Sequence, residues 1–188
     1  MVERARPTPT GGIESGITAF PIGSKAGSDQ APYLASRLGD TIRGPKGTEY
    51  MLVRLNVAAG MVGTNADGQA DPPGRRTMIF TDLTTYDVAP GTVATDQPAG
   101  VTPYNQVVVA DNEFLWIQID GITELYQGDD ATDTTAGDFM SIDNDADKGK
   151  VVTVTTNFNF LTAPFKALET QAGNDKAIRA QIMRRLGR

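Results

Sequence analysis

Turn-forming residues punctuate this chain so densely that long regular elements have no room, and this bounds its fold before anything else does. The 188 residues include 20 glycines and 11 prolines, and the runs between them are short and alternate apolar with polar side chains. From Tyr50 to Ala58, Met51, Val53, Leu55 and Val57 face one way while Arg54 and Asn56 face the other, the period of a strand with one buried face. In Phe114–Ile122, Leu115, Ile117 and Ile119 alternate with Phe114, Trp116, Gln118 and Asp120. One face is core; the other begins aromatic and ends polar, as on a half-covered strand. Thr77–Phe80, Val107–Ala110, Phe139–Ile142, Val151–Phe160 and Ala163–Leu168 add shorter strands, with Val152, Val154, Phe158 and Phe160 expected on one face. Branched and flat side chains fill these runs because they pack well on a pleated surface. Tyr33–Leu38 reads as a short helical turn. Asp175–Leu186 fits two periods: Ile178, Ile182 and Leu186 recur at helical spacing, and Ala177–Ile182 also fits a closing strand. Short strands with a turn every ten or so residues predict an all-β fold, a compact β-barrel or sandwich.

Two regions stand apart from the strands. Residues 1–30 read as an extended N-terminal arm, because prolines and glycines interrupt them throughout. Yet Ile13, Ile17, Phe20 and Ile22 are spread through it, and such side chains suit a segment lying across an apolar surface. Residues 31–188 then form one β domain, with exposed loops expected at 63–76 and 81–104.

Charge is unevenly distributed. Residues 1–76 carry nine basic and seven acidic side chains, a net of +2; residues 77–147 carry fourteen acids and no Lys or Arg; residues 148–188 carry eight basic and two acidic, a net of +6. An acidic middle keeps a protein in solution and repels phosphate, so nucleic acid is not an expected partner. Arg4 and Arg6 at one end, and Arg179, Arg184, Arg185 and Arg188 at the other, suit acidic protein surface, and no aromatic residues interleave them for base stacking. The chain has no cysteine, which removes disulfides, thiolate nucleophiles and Cys-ligated metals, and no histidine, the usual general base near neutral pH. No catalytic set is nominated, and the expectation is a protein that is not an enzyme. Its opening residues show no secretory signal and no run is apolar enough to span a bilayer, so neither export nor membrane is expected.

Two segments imitate functional motifs and fail. Asp143, Asp145 and Asp147 open like a calcium loop, but the glycine falls one place late at Gly149 and Val154 stands where a bidentate Glu belongs. The acidic run from Gln127 to Gly149 is read as two hairpin loops, with no metal. Gly44-Pro45-Lys46-Gly47-Thr48 lacks the adjacent Gly-Lys-Ser/Thr of a phosphate loop and is read as a turn. No cofactor is expected.

The stretch Ala110-Asp111-Asn112-Glu113-Phe114-Leu115-Trp116-Ile117-Gln118-Ile119-Asp120-Gly121 resembles a recurring segment of tailed-bacteriophage capsid decoration (cement) proteins. Four further pieces are similar and appear in the same order: Arg37-Leu38-Gly39-Asp40, Gly47-Thr48-Glu49-Tyr50-Met51-Leu52-Val53, Thr135-Ala136-Gly137-Asp138 and Lys148-Gly149-Lys150. The resemblance spans roughly residues 35–186. It implies a tulip-like β domain on the outer capsid surface, made in the host cytoplasm, that bridges major capsid subunits and stabilises the head. It also favours a strand over a helix for Ala177–Ile182 and implies a homo-oligomer, a trimer ahead of a dimer. The interface expected under it uses Arg4, Arg6, Ile13, Ile17, Phe20, Ile22, Phe114 and Trp116. The competing expectations are another virion part (tail, baseplate, fibre or head–tail adaptor) and a β-sandwich carbohydrate-binding module or enzyme.

Overall fold

A computed structural model describes residues 25–26, 34–57, 75–102, 112–128, 133–143, 149–155, 159, 161–172, 176–183 and 186. Of the expected arm (residues 1–30) only Lys25 and Ala26 are among the described residues, and the run Val107–Ala110 lies outside them. The strands are β1 (Lys25–Ala26), β2 (Thr41–Arg43), β3 (Glu49–Leu55), β4 (Thr77–Asp82), β5 (Asp87–Pro90), β6 (Pro98–Val101), β7 (Phe114–Tyr126), β8 (Phe139–Ile142), β9 (Val151–Thr153), β10 (Phe165–Ala167) and β11 (Ala177–Ile182). The fold is all-β, and no helix among the described residues is long and apolar enough to cross a membrane.

Everything is organised on β7. Its first half pairs antiparallel with β3, from Tyr50 opposite Gln118 to Arg54 opposite Phe114, and this pairing closes the circuit β3–β5–β4–β6–β7 into a five-stranded barrel. The β3–β5 pair alone in that circuit is parallel, with Arg54 opposite Asp87. Closure leaves the barrel strands without a free edge. Met51, Val53 and Leu55 point inward against Leu115, Ile117 and Ile119, as alternation predicts.

At Gly121 the strand changes partners. Gly121 has φ +94°, and a Cβ there would lie 3.0 Å from the Thr48 Cα, so the left-handed backbone and the close approach both require glycine. Beyond it, Gly121–Tyr126 pairs with β11, followed by β10, β8 and β9. A parallel bridge from Val151 to Gln127 brings β9 back to the end of β7. The apolar interior of this second sheet, including Leu125, Met140, Val151, Phe165 and Ile178, is continuous with that of the barrel.

The outer face of β3 and β7 is also covered. Leu34 and the half-buried Leu38 and Ile42 pack over Tyr50, Leu52, Phe114 and Trp116. The cover is tied down by the Gly39 N–H donating to the Leu52 carbonyl at 2.9 Å and the Leu52 N–H donating to that of Asp40 at 2.9 Å. An Arg37–Asp40 ion pair stiffens the turn. Each fully buried apolar side chain in such a layer contributes roughly 1.5–3 kcal/mol.

Several sequence expectations change. The expected loop 81–104 is not exposed throughout: its described residues 81–102 hold β5 and β6, with Val88, Ala99 and Val101 fully buried. Pro98-Ala99-Gly100 lies within that expected loop, but proline is tolerated at the first position of a strand, and a Cβ on Gly100 would sit 2.7 Å from the Ile117 Cδ1, so the glycine makes room for a core side chain. The expected loop 63–76 ends in buried structure, since Arg76 is buried and Arg75 bridges to Leu125. Val151 of β9, opposite buried Ile142, is in the core, while Val152 and Val154, expected on the buried face, are half-exposed. Phe158 and Phe160 lie outside the described residues. Ala177–Ile182 is a strand, burying Ile178, Ala180 and Ile182 at a period of two.

Candidate functional site

The residues nominated from the sequence divide into two groups. Arg4, Arg6, Ile13, Ile17, Phe20 and Ile22 lie outside the described residues. The chain next to them is anchored, since Lys25 and Ala26 pair with Leu115 and Phe114 at the start of β7. Phe114 and Trp116 correct the expectation that they face a partner. They are 1% and 0% exposed, sealed beneath Leu34 and its neighbours. The polar end of that face is explained by Gln118, also fully buried, whose amide NH₂ donates to the Asp120 and Ile122 carbonyls at 2.9 Å each. An aromatic row for stacking sugars is therefore not presented by this strand.

A groove the sequence did not nominate opens at the joint between the two halves of β7. It encloses about 370 Å³ and is lined by Lys46, Arg75 and Arg179 as its cations, Glu124 as its one acid, and Pro45, Tyr50 and Ile122 as its apolar walls. Local backbone explains the placement. The turn Pro45–Gly47 carries Lys46 in the left-handed region at φ 55°, followed by Gly47 at φ 77°, and this presents the lysine at the rim. Arg75 reaches down to the floor, where its Nη1 donates to the Gln118 Oε1 at 2.9 Å. Arg179 stands on β11 directly opposite Glu124 of β7, with its backbone N–H held by the Glu169 carboxylate at 2.8 Å. The available signal was the charge segregation, because the cations come from the basic segments that flank the acidic middle of the chain.

Asp87 and Asp138, outside the groove, serve structure. Asp87 accepts from the Arg54 Nε at 2.6 Å and Nη2 at 2.9 Å, and from the Thr85 hydroxyl at 2.8 Å. The Arg54 hydrogen bonds hold its carboxyl below the usual carboxylate range. Asp138 accepts from the Thr135 N–H at 2.8 Å, the turn role expected for it. Among the described residues no three acids gather where they would hold a metal ion.

No family model and no curated protein matches the chain. Among solved structures, it is similar to the crystal structure of the head fiber gp8.5 N base in bacteriophage phi29, with a TM-score of 0.37 and 12% sequence identity over 71% of this chain and 92% of that one.

Proposed function

We propose that this is a structural, non-enzymatic protein of a tailed-phage particle, a decoration protein that binds the outer capsid surface and bridges neighbouring major capsid subunits. One observation carries the reading. The five glycines with left-handed backbone among the described residues are Gly39, Gly47, Gly121, Gly137 and Gly149, and each falls in a different one of the five sequence pieces that resemble decoration proteins. The resemblance therefore includes residues that fix chain reversals and strand joints in this fold. Three of those pieces meet in space, where β3 pairs with β7 and Gly39 ties to Leu52.

The function is mechanical. A shell of repeated subunits is weakest at its joints, and a protein that buries surface on both sides of a joint reinforces it. Stable contacts bury about 800 Å² per partner, and once one contact forms the next is effectively intramolecular, so modest interfaces give strong avidity. Residues 1–24 suit this role as a strap over adjacent subunits, with Ile13, Ile17, Phe20 and Ile22 as apolar contacts and Arg4 and Arg6 against acidic surface. Self-association, as a trimer ahead of a dimer, would multiply the same effect.

The test is co-sedimentation of purified protein with capsid shells that lack it. The full chain should pellet with the shells and occupy repeated lattice positions in images of the particle. A chain lacking residues 1–24 should unfold at nearly the same temperature but bind with sharply reduced occupancy. Labelling confined to the tail or portal vertex would replace the decoration role with a tail or adaptor role. Normal occupancy without the arm would refute the strap.

A further inference from the structure

The groove at the joint in β7 has a chemistry that the capsid reading does not specify. We infer that it is a recognition site for a short carboxylate-rich peptide segment of a partner protein. The inference concerns the ligand chemistry of the groove and stands whether or not the protein sits on a capsid.

Three features lead to it. First, Lys46, Arg75 and Arg179 line the groove against the single acid Glu124, and they come from three separate chain segments, the turn before β3, the residue pair before β4, and β11. Cations brought together from distant parts of a chain whose net charge is −6 form a local field opposite in sign to the rest of the molecule. Second, the floor is rigid. Gln118 is fully buried, and its amide is fixed by Arg75 on one side and by two backbone carbonyls on the other. An arginine whose guanidinium is held in place loses less freedom when its fork meets a carboxylate. Third, the walls are apolar at Pro45, Tyr50 and Ile122, and Ile122 is 48% exposed. A groove of about 370 Å³ with apolar walls and a few placed charges is the size and character of a ligand site.

The charges also favour one class of anion. Glu124 is the cross-strand neighbour of Arg179 on the groove lining, so a continuous polyphosphate would meet repulsion beside that cation. A peptide presents discrete carboxylates, which can meet the cations and pass Glu124 with a backbone or neutral side chain. Nucleic acid is disfavoured further by the fourteen acids of residues 77–147.

The experiment is calorimetric titration of the full chain with a capped hexa-aspartate peptide at low salt, with oligothymidylate and inorganic phosphate titrated in parallel. Saturable binding of one peptide per chain is expected, weakening as salt rises. Lys46→Gln and Arg179→Gln should each weaken it about three- to tenfold, and the double variant about thirtyfold or more, with thermal unfolding within about 2 °C of the parent. These two side chains are exposed, so the variants test binding without disturbing the floor. Absence of saturable peptide binding, indifference to the double variant, or tighter binding of oligothymidylate would each overturn the inference.

Discussion

The first half of β7 is buried on both faces, whereas from Ile122 to Leu125 the same strand alternates exposed and buried. Phe114–Ile119 is wrapped by the barrel interior on one side and by Leu34, Leu38 and Ile42 on the other. Past Gly121, Ile122 and Glu124 are exposed at the groove while Thr123 and Leu125 are buried. One strand thus serves as the anchor of a closed barrel and then as the wall of a recognition surface. The difference lies in what closes each sheet: a continuous run of backbone pairs with β3 in the first case, an isolated bridge between Gln127 and Val151 in the second. Stability should concentrate in the first half and adaptability in the second.

The harshest test of that contrast is Trp116→Ala. Its indole is fully buried in the outer layer, so truncation should cost about 3–5 kcal/mol in denaturant unfolding. A loss below about 1 kcal/mol would mean that the layer over β7 is not a fixed part of the domain. Gly121→Ala comes next, at about 1–3 kcal/mol, because alanine is strained at φ +94° and its Cβ would press on the Thr48 backbone. If Gly121→Ala proves neutral, the two halves of β7 are joined by an ordinary strand and the comparison fails at its hinge.

The contrast also governs what could be read from residues alone. Alternation in Phe114–Ile122 placed Leu115, Ile117 and Ile119 in the core correctly, because that face is buried by the barrel that the strand itself helps to close. The half-covered, interface reading of the Phe114 and Trp116 face failed because its cover, Leu34 to Ile42, is short and interrupted by turns, so no periodicity marks it as packing. β5 and β6 were missed because their strand character comes from closure of the barrel: Gly100 is there to admit Ile117, and Asp87 is buried because Arg54 meets it. Neither requirement is visible until non-adjacent strands are placed together. The groove was hidden for the same reason. Lys46 reads as a turn residue, Arg75 as the end of a loop and Arg179 as part of a basic terminus, and their meeting is a property of topology. The five left-handed glycines, by contrast, sit in local turns and joints, the parts of a fold that short sequence pieces carry.

The Arg54–Asp87 pair joins β3 to β5 at the parallel contact in the barrel circuit, which makes it a measure of closure. Asp87→Asn should cost about 2 kcal/mol at neutral pH, the loss of charge-assisted hydrogen bonds to a half-buried arginine. The pH dependence has a fixed sign. Folding lowers the Asp87 carboxyl below its ordinary value of 3.8 through the Arg54 hydrogen bonds, so its contribution is complete above that value and drains away as pH falls through the lower folded-state value. The parent should therefore lose stability below about pH 4 more steeply than the Asp87→Asn variant. Parallel acid limbs in the two proteins would show that the pair does not hold the barrel shut.

The smallest expected effect is on the exposed side of the second half. Ile122 is 48% exposed on the groove wall, so Ile122→Thr should change stability by no more than about 0.5 kcal/mol, and threonine keeps the branched shape a strand prefers. The informative comparison is with concentration. If nothing covers this face in the free protein, the small effect should be the same in dilute and concentrated samples. A cost above about 1 kcal/mol that grows with protein concentration would mean that a second copy buries Ile122, because only association makes apparent stability depend on concentration. The outward half of β7 would then be an oligomer interface, and its likeness to the sealed first half would be restored by a neighbour instead of by the chain's own residues 34–42.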